Sequence, residues 1–193
     1  MHSLSLILLL MFSTLPLNAA DKQASFVFMP AYWYEYHWEE TPDAVGRSSQ
    51  RQTVLTAAYR LPFGLALGAT WLKNATYAQD SQMVLTGQGL SLGYVGVEYI
   101  SAFYTYLYNP RLDYDFPSVD ASTSYYGGRG SIVDLGLHFG TSWLRFGPRV
   151  LWIDANYKQS SVTSGTETET STLEGNPWKD RWLEPYIGVW LLF

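Results

Sequence analysis

The chain has no cysteine, which excludes a disulfide framework, a thiolate metal site and a lipidated N-terminal cysteine. Charge is scarce as well. Asp, Glu, Lys and Arg make 15% of the 193 residues, against about 25% in soluble domains. The balance of 12 basic and 17 acidic residues, net −5, supplies no basic footprint and argues against a nucleic-acid partner. Long apolar runs are also missing beyond residue 20, and no segment there shows a sustained helical stripe. The one apolar run, Leu4 to Phe12, falls short of the ~20 residues a membrane-spanning helix needs. Followed by Pro16 and Ala19-Ala20, it reads as a signal-peptide core with cleavage after Ala20, although its start carries only His2 and no Lys or Arg. The alternative is an uncleaved buried segment. Residues 21–193 are then one domain by length.

What is abundant is aromatic. Fifteen Tyr, eight Trp and nine Phe make 17% of the chain. Such a content suits a carbohydrate-binding sandwich or a membrane barrel, and distribution decides between them. Segments of about ten residues alternate apolar with polar or small positions, the length and period of transmembrane strands. They are Ala24–Glu39, Gln52–Leu61, Leu65–Leu72, Leu90–Tyr99, Ala102–Tyr108, Ile132–Phe139, Trp143–Asp154 and Arg181–Phe193. In the first, Phe26, Phe28, Tyr32, Tyr34, Tyr36 and Trp38 oppose Val27, Met29, Ala31, Glu35 and His37. Pro30 removes a ladder donor and predicts a locally unpaired position. In the fourth, Val95, Val97 and Tyr99 are expected on one face with Glu98 on the other.

The connections alternate. Residues 40–50, 73–87, 109–130 and 158–178 read as long polar loops; Pro62-Phe63-Gly64, the region of Ile100-Ser101 and Gly140-Thr141-Ser142 read as short turns. Outer-membrane barrels pair long external loops with short periplasmic turns in this way. The expected fold is all-β: an eight-stranded antiparallel up-and-down transmembrane barrel without open edges.

The last segment, Tyr186 to Phe193, resembles the C-terminal assembly signal of bacterial outer-membrane proteins at Tyr186, Gly188, Leu191 and Phe193. With the alternating segments before it, the chain is similar in plan to the small OmpX, OmpW and OmpA transmembrane groups. That resemblance implies an outer-membrane location, lipid and lipopolysaccharide around the wall, and delivery by the barrel-assembly machinery through the last strand. A monomer is expected.

Projecting the faces inward collects Glu35, Arg60, Glu98, Asp134, His138, Arg145, Arg149 and Glu184. An eight-stranded barrel is just wide enough for side chains to fill, so these charges are expected to pair as a lumen network rather than line a conducting pore. His37 and His138 lack a serine partner at the spacing a lipid-deacylating pair would need, and three scattered histidines make no zinc cluster. No enzyme activity, metal or cofactor is therefore expected. Asn74-Ala75-Thr76 fits a glycosylation sequon without consequence in a bacterial setting. Tyr36, Trp38, Trp71, Tyr99, Trp143 and Trp152 suit interfacial girdles, with a sugar-stacking platform as the competing role. The leading expectation is a structural, adhesion or interaction protein working through its external loops. The alternative is passage of small hydrophobic molecules, motivated by inward apolar positions such as Val27, Met29, Leu72 and Leu92. A lipid A-modifying enzyme ranks below both.

If this reading of the fold is right, the protein in detergent gives a β-type circular dichroism spectrum and migrates differently on gels before and after heating. A helical spectrum would refute it.

Overall fold

The computed structural model describes residues 25–41, 44–78, 80–96, 99–173 and 178–193, with backbone alone for 37–41, 44–47, 178–180, 182 and 184. Residues 1–20, with the expected signal peptide, and Glu98 lie outside the described residues. The strands are β1 (Ser25–Thr41), β2 (Ala44–Arg60), β3 (Leu65–Ala78), β4 (Ser81–Val95), β5 (Tyr99–Phe116), β6 (Ala121–Tyr126), β7 (Arg129–Gly140), β8 (Leu144–Tyr157), β9 (Gln159–Ser164), β10 (Glu167–Thr172) and β11 (Trp178–Leu192). Eight of them, β1 to β5 with β7, β8 and β11, close into an antiparallel barrel through the β5–β7 and β1–β11 pairings. The expected all-β fold, an eight-stranded antiparallel barrel, is the one observed.

Period-two alternation sets the two surfaces. On β1, Val27, Met29 and Ala31 are buried inside while Phe26, Tyr32, Tyr34 and Tyr36 are exposed outside. On β7, Ile132, Asp134 and His138 turn inward and Leu135, Leu137 and Phe139 outward. The short turns gather at one rim with Ser25 and Phe193. There Gly64, at φ +89°, makes the turn that Leu61 and Leu65 close with a 2.7 Å bond. A β-carbon on it would stand 2.6 Å from the Tyr94 ring.

Two expectations need correction. The segments read as long loops are largely strand: β1–β2 stays laddered to Thr41↔Ala44 and β3–β4 to Ala78↔Ser81. Polar residues on both faces blur the alternation there, although Asn74 and Leu85 turn into the interior, and Thr, Tyr and Val still favour the extended backbone. On β4 the faces are also reversed. Val95 is buried inside, Tyr99 is outside, and Leu92 is 51% exposed. The inward positions Gly89, Ser91 and Gly93 are small, so apolar residues stand on both faces and parity could not be read from hydrophobicity. The turn itself falls after Val95, ahead of Ile100-Ser101.

Three strands lie outside the barrel. β5 pairs with β7 from Tyr99 to Tyr108, then with β6 from Leu112 to Phe116. The exchange occurs at Asn109, whose φ is +42° and whose Oδ1 accepts a 2.8 Å bond from Gly127 N–H. β6 pairs with β9, and β9 with β10, so these three strands extend the sheet from β5 at one side of the barrel's distal end. β10 has no second neighbour among the described residues.

Most of the distal core is aliphatic: Leu72, Leu85, Leu107, Leu112, Leu151 and Ile153 have no accessible surface. Leu151→Ala should cost ~2–5 kcal/mol, read as a lowered denaturation midpoint in micelles.

Candidate functional site: a layered lumen

The interior is built in three layers. Next to the rim, Val27, Met29, Ala58, Ala66, Val95, Phe103, Trp190 and Leu192 form one apolar cluster. At the distal end a second cluster joins Ala31, Val54, Leu72, Leu85, Leu107, Leu151, Tyr157 and Tyr186, with Trp33 packed against it. Between them lies a polar layer, one inward step from each cluster at Thr56 on β2 and at Thr105 on β5.

Half of that layer is hydroxyl. Thr56 bonds Thr70 at 2.8 Å, Thr70 bonds Ser91 at 2.7 Å and Thr105 at 3.2 Å, and Ser91 bonds Thr105 at 2.9 Å. Thr70, Ser91 and Thr105 close a ring in which each hydroxyl can donate once and accept once, and Thr56 joins it through Thr70. The other half is ionic. Arg149 Nε donates to Asp134 Oδ1 at 2.9 Å and Nη2 donates to Oδ2, a bidentate pair with both partners buried. The guanidinium carbon also lies 5.2 Å from the Tyr186 ring centre and 5.3 Å from that of Trp190. Trp190 Nε1 donates to Ser101 Oγ at 3.2 Å.

Two glycines make room for this. A β-carbon on Gly136 would stand 2.6 Å from Trp190 and 2.8 Å from Arg149; one on Gly188 would run into Arg149 Cδ. Small residues on β7 and β11 thus receive the two largest groups of the layer.

Of the charges projected inward, the structure brings Asp134 to Arg149 and His138 to Arg145. Arg145 Nη1 stands 3.4 Å from His138 Nδ1 and donates to Gly96 O at 3.2 Å. The His138 ring lies 5.2 Å from that of Trp190. Arg60 is buried apart from them on β2, opposite Ser25 and Ala66. Glu35 is half-buried farther along β1. The side chains of Glu184 and His37 lie outside the described residues, as does Glu98. Tyr186 and Gly188 face inward, while Leu191 and Phe193 share the outward face. The hydroxyl ring and the glycine recesses were missed in the sequence. Their signal is there: Thr56, Thr70, Ser91 and Thr105 occupy inward positions on four consecutive strands.

The outer surface is equally ordered. No outward position between the rim and Arg51, Lys73, Arg111, Arg129, Asp154 or Arg181 carries a charge among the described residues. Aromatic rings border this apolar belt on both sides: Phe26, Phe63, Tyr99, Phe139, Trp143 and Phe193 at the rim, Tyr34, Tyr36, Trp71, Tyr106, Tyr108 and Trp152 at the far edge. Arg51 marks that edge, between Tyr34 and Tyr77 at 5.6 and 5.5 Å.

The chemistry available inside is packing and charge pairing. Among the described residues no group of His, Asp and Glu could hold a metal ion. No known protein-family model matches the chain, and no curated protein is detectably similar to it.

Replacing Asp134 by Leu strands a buried guanidinium and should cost ~3–5 kcal/mol in unfolding, whereas Asp134→Leu with Arg149→Met should recover most of it. Equal destabilisation by the single and double variants would show that Arg149 has no need of its partner.

Proposed function

We propose that the chain is an integral outer-membrane protein whose barrel serves as an anchor for an interaction surface at the distal end. The belt supports the membrane reading. It runs roughly ten residues along each strand, the ~9–11 a tilted strand needs to cross the hydrocarbon core. A soluble protein seldom exposes apolar surface on this scale. Aromatic girdles at both borders and a first charged residue beyond one of them are what a bilayer imposes. The resemblance of the last strand to an assembly signal agrees with this, and puts the rim in the periplasm and the raised sheet outside the cell.

The observation that carries the functional part is the free edge of β10. Glu167 to Thr172 are all exposed and paired on one side only, to β9. A two-residue turn joins the two strands, so Glu167, Glu169 and Ser171 bond to β9 while Thr168, Thr170 and Thr172 direct their N–H groups to open solvent. An unpaired edge is a template for another strand. Glu167 and Glu169, two residues apart on one face, favour an extended partner with Lys or Arg at alternate positions.

The test uses a short peptide of alternating Lys and Val, titrated onto the protein in micelles. Thr170→Pro removes an outward donor without touching the β9 ladder and should abolish most of the binding, while Thr170→Ala should leave it. Equal binding by wild type and Thr170→Pro would refute the edge as the docking element.

A further inference from the structure

One join in the barrel differs from the rest. Phe26 N–H donates to Phe193 O at 2.9 Å and Phe193 N–H returns a bond to Phe26 O at 2.8 Å. The β1–β11 ladder then runs through Val27↔Leu192 to Phe28↔Leu191 and ends there. The neighbouring joins continue to the distal end, β1–β2 to Thr41↔Ala44 and β8–β11 to Tyr157↔Trp178.

The sequence explains where the ladder stops. In the same register the next facing positions are Pro30 with Val189, Tyr32 with Ile187, and Tyr34 with Pro185. In antiparallel strands every second residue bonds to the same neighbour. Phe26 and Phe193 bond across this join, so Pro30 and Pro185 both occupy positions whose N–H would point into it. Neither has one. Both prolines remove a donor from the same seam, and the rung between them is left isolated. Backbone groups exposed to hydrocarbon cost several kcal/mol each, so such a seam within the belt is a costly feature to build in.

Its surroundings are apolar on both sides. Outside stand Tyr32, Leu183 (66% exposed) and Ile187 (75% exposed). Within is a narrow cleft, too tight for water in this conformation, lined by Ala31, Tyr32, Trp33, Gln52 and Tyr186. Behind Ala31, Trp33 and Tyr186 lies the distal aliphatic cluster. Below, the Asp134–Arg149 pair under the Tyr186 ring floors it.

We infer that the β1–β11 seam is a lateral portal that admits the hydrocarbon chain of a surrounding lipid to the distal apolar layer, with Trp33 and Tyr186 as its gate. A lipid chain is the occupant because the seam opens onto the apolar belt, and beyond Ala31 and Tyr186 it meets aliphatic side chains. The inference rests on the membrane-spanning reading and is independent of the β10 edge. Leu92, once counted among the inward positions suggesting a hydrophobic passage, plays no part, since it faces out.

The test places the full chain in phosphatidylcholine vesicles whose acyl chains end in a photoactivatable diazirine, and maps adducts by mass spectrometry. Adducts are expected on the inward Trp33 and Tyr186 as well as on outward residues such as Leu135 and Ile187. The chain has no cysteine, so Tyr32→Cys with Ile187→Cys can lock the seam by oxidation. Locking should remove the inward adducts and keep that on Leu135, and reduction should restore them. Pro30→Ala with Pro185→Ala, which returns both donors, should lower inward labelling several-fold and serves alone if the disulfide does not form. Outward adducts without inward ones would overturn the portal, as would inward labelling unchanged by these variants. Absence of outward adducts on every strand would overturn the membrane reading and the portal with it.

Discussion

The narrowness of the closed barrel is the constraint on which the rest depends. Eight strands leave an interior one side chain deep, so each large group must face a small one on another strand. Arg149 and Trp190 extend toward Gly136 and Gly188, and Phe103 lies against Gly93. The charge on Arg149 then has no route to water and must be met inside, which Asp134 does from the adjacent strand. The hydroxyl ring on β2 to β5 answers the same demand with neutral groups. A lumen packed in this way holds no water-wide path past its aliphatic layer, whose residues have no accessible surface.

Much of the barrel was legible in the sequence because its wall separates two environments. Where one face packs into the interior and the other forms the exposed apolar belt, alternation survives, and the inward placement of Asp134, His138 and Arg149 follows from parity alone. Legibility failed where that separation fails. β4 carries Gly89, Ser91 and Gly93 inward, so Leu92 could be assigned to either side. The hairpin extensions carry polar residues on both faces and show little period, and the sheet formed by β6, β9 and β10 could not be read from Ser/Thr-rich segments. The pairing of Asp134 with Arg149 needed the register between β7 and β8. Spacing in the chain does not supply it.

Pro30 shows how a local rule acquires a non-local meaning. Alone, it predicts one missing rung. Its significance appears only when the register places Pro185 on the same seam, more than a hundred residues away in the chain. Other walls of the barrel keep their ladders from the rim well into the distal half, and β7–β8 lapses only at Leu137 and His138, so the long break belongs to the join between the first strand and the last.

β5 changes one neighbour along its length: up to Tyr108 it pairs β7 in the barrel, and beyond Leu112 it pairs β6 in the raised sheet while keeping β4 on its other side. That continuity has a mechanical consequence. A pull directed along β10 loads the rungs to β9, β6 and β5 in shear, with many bonds sharing the force, and the tension then enters the barrel wall through β5 with the β4 laddered to it, and through β8, from which β9 is separated by Lys158 alone. The raised sheet is coupled to the barrel as a strut rather than as a tethered loop.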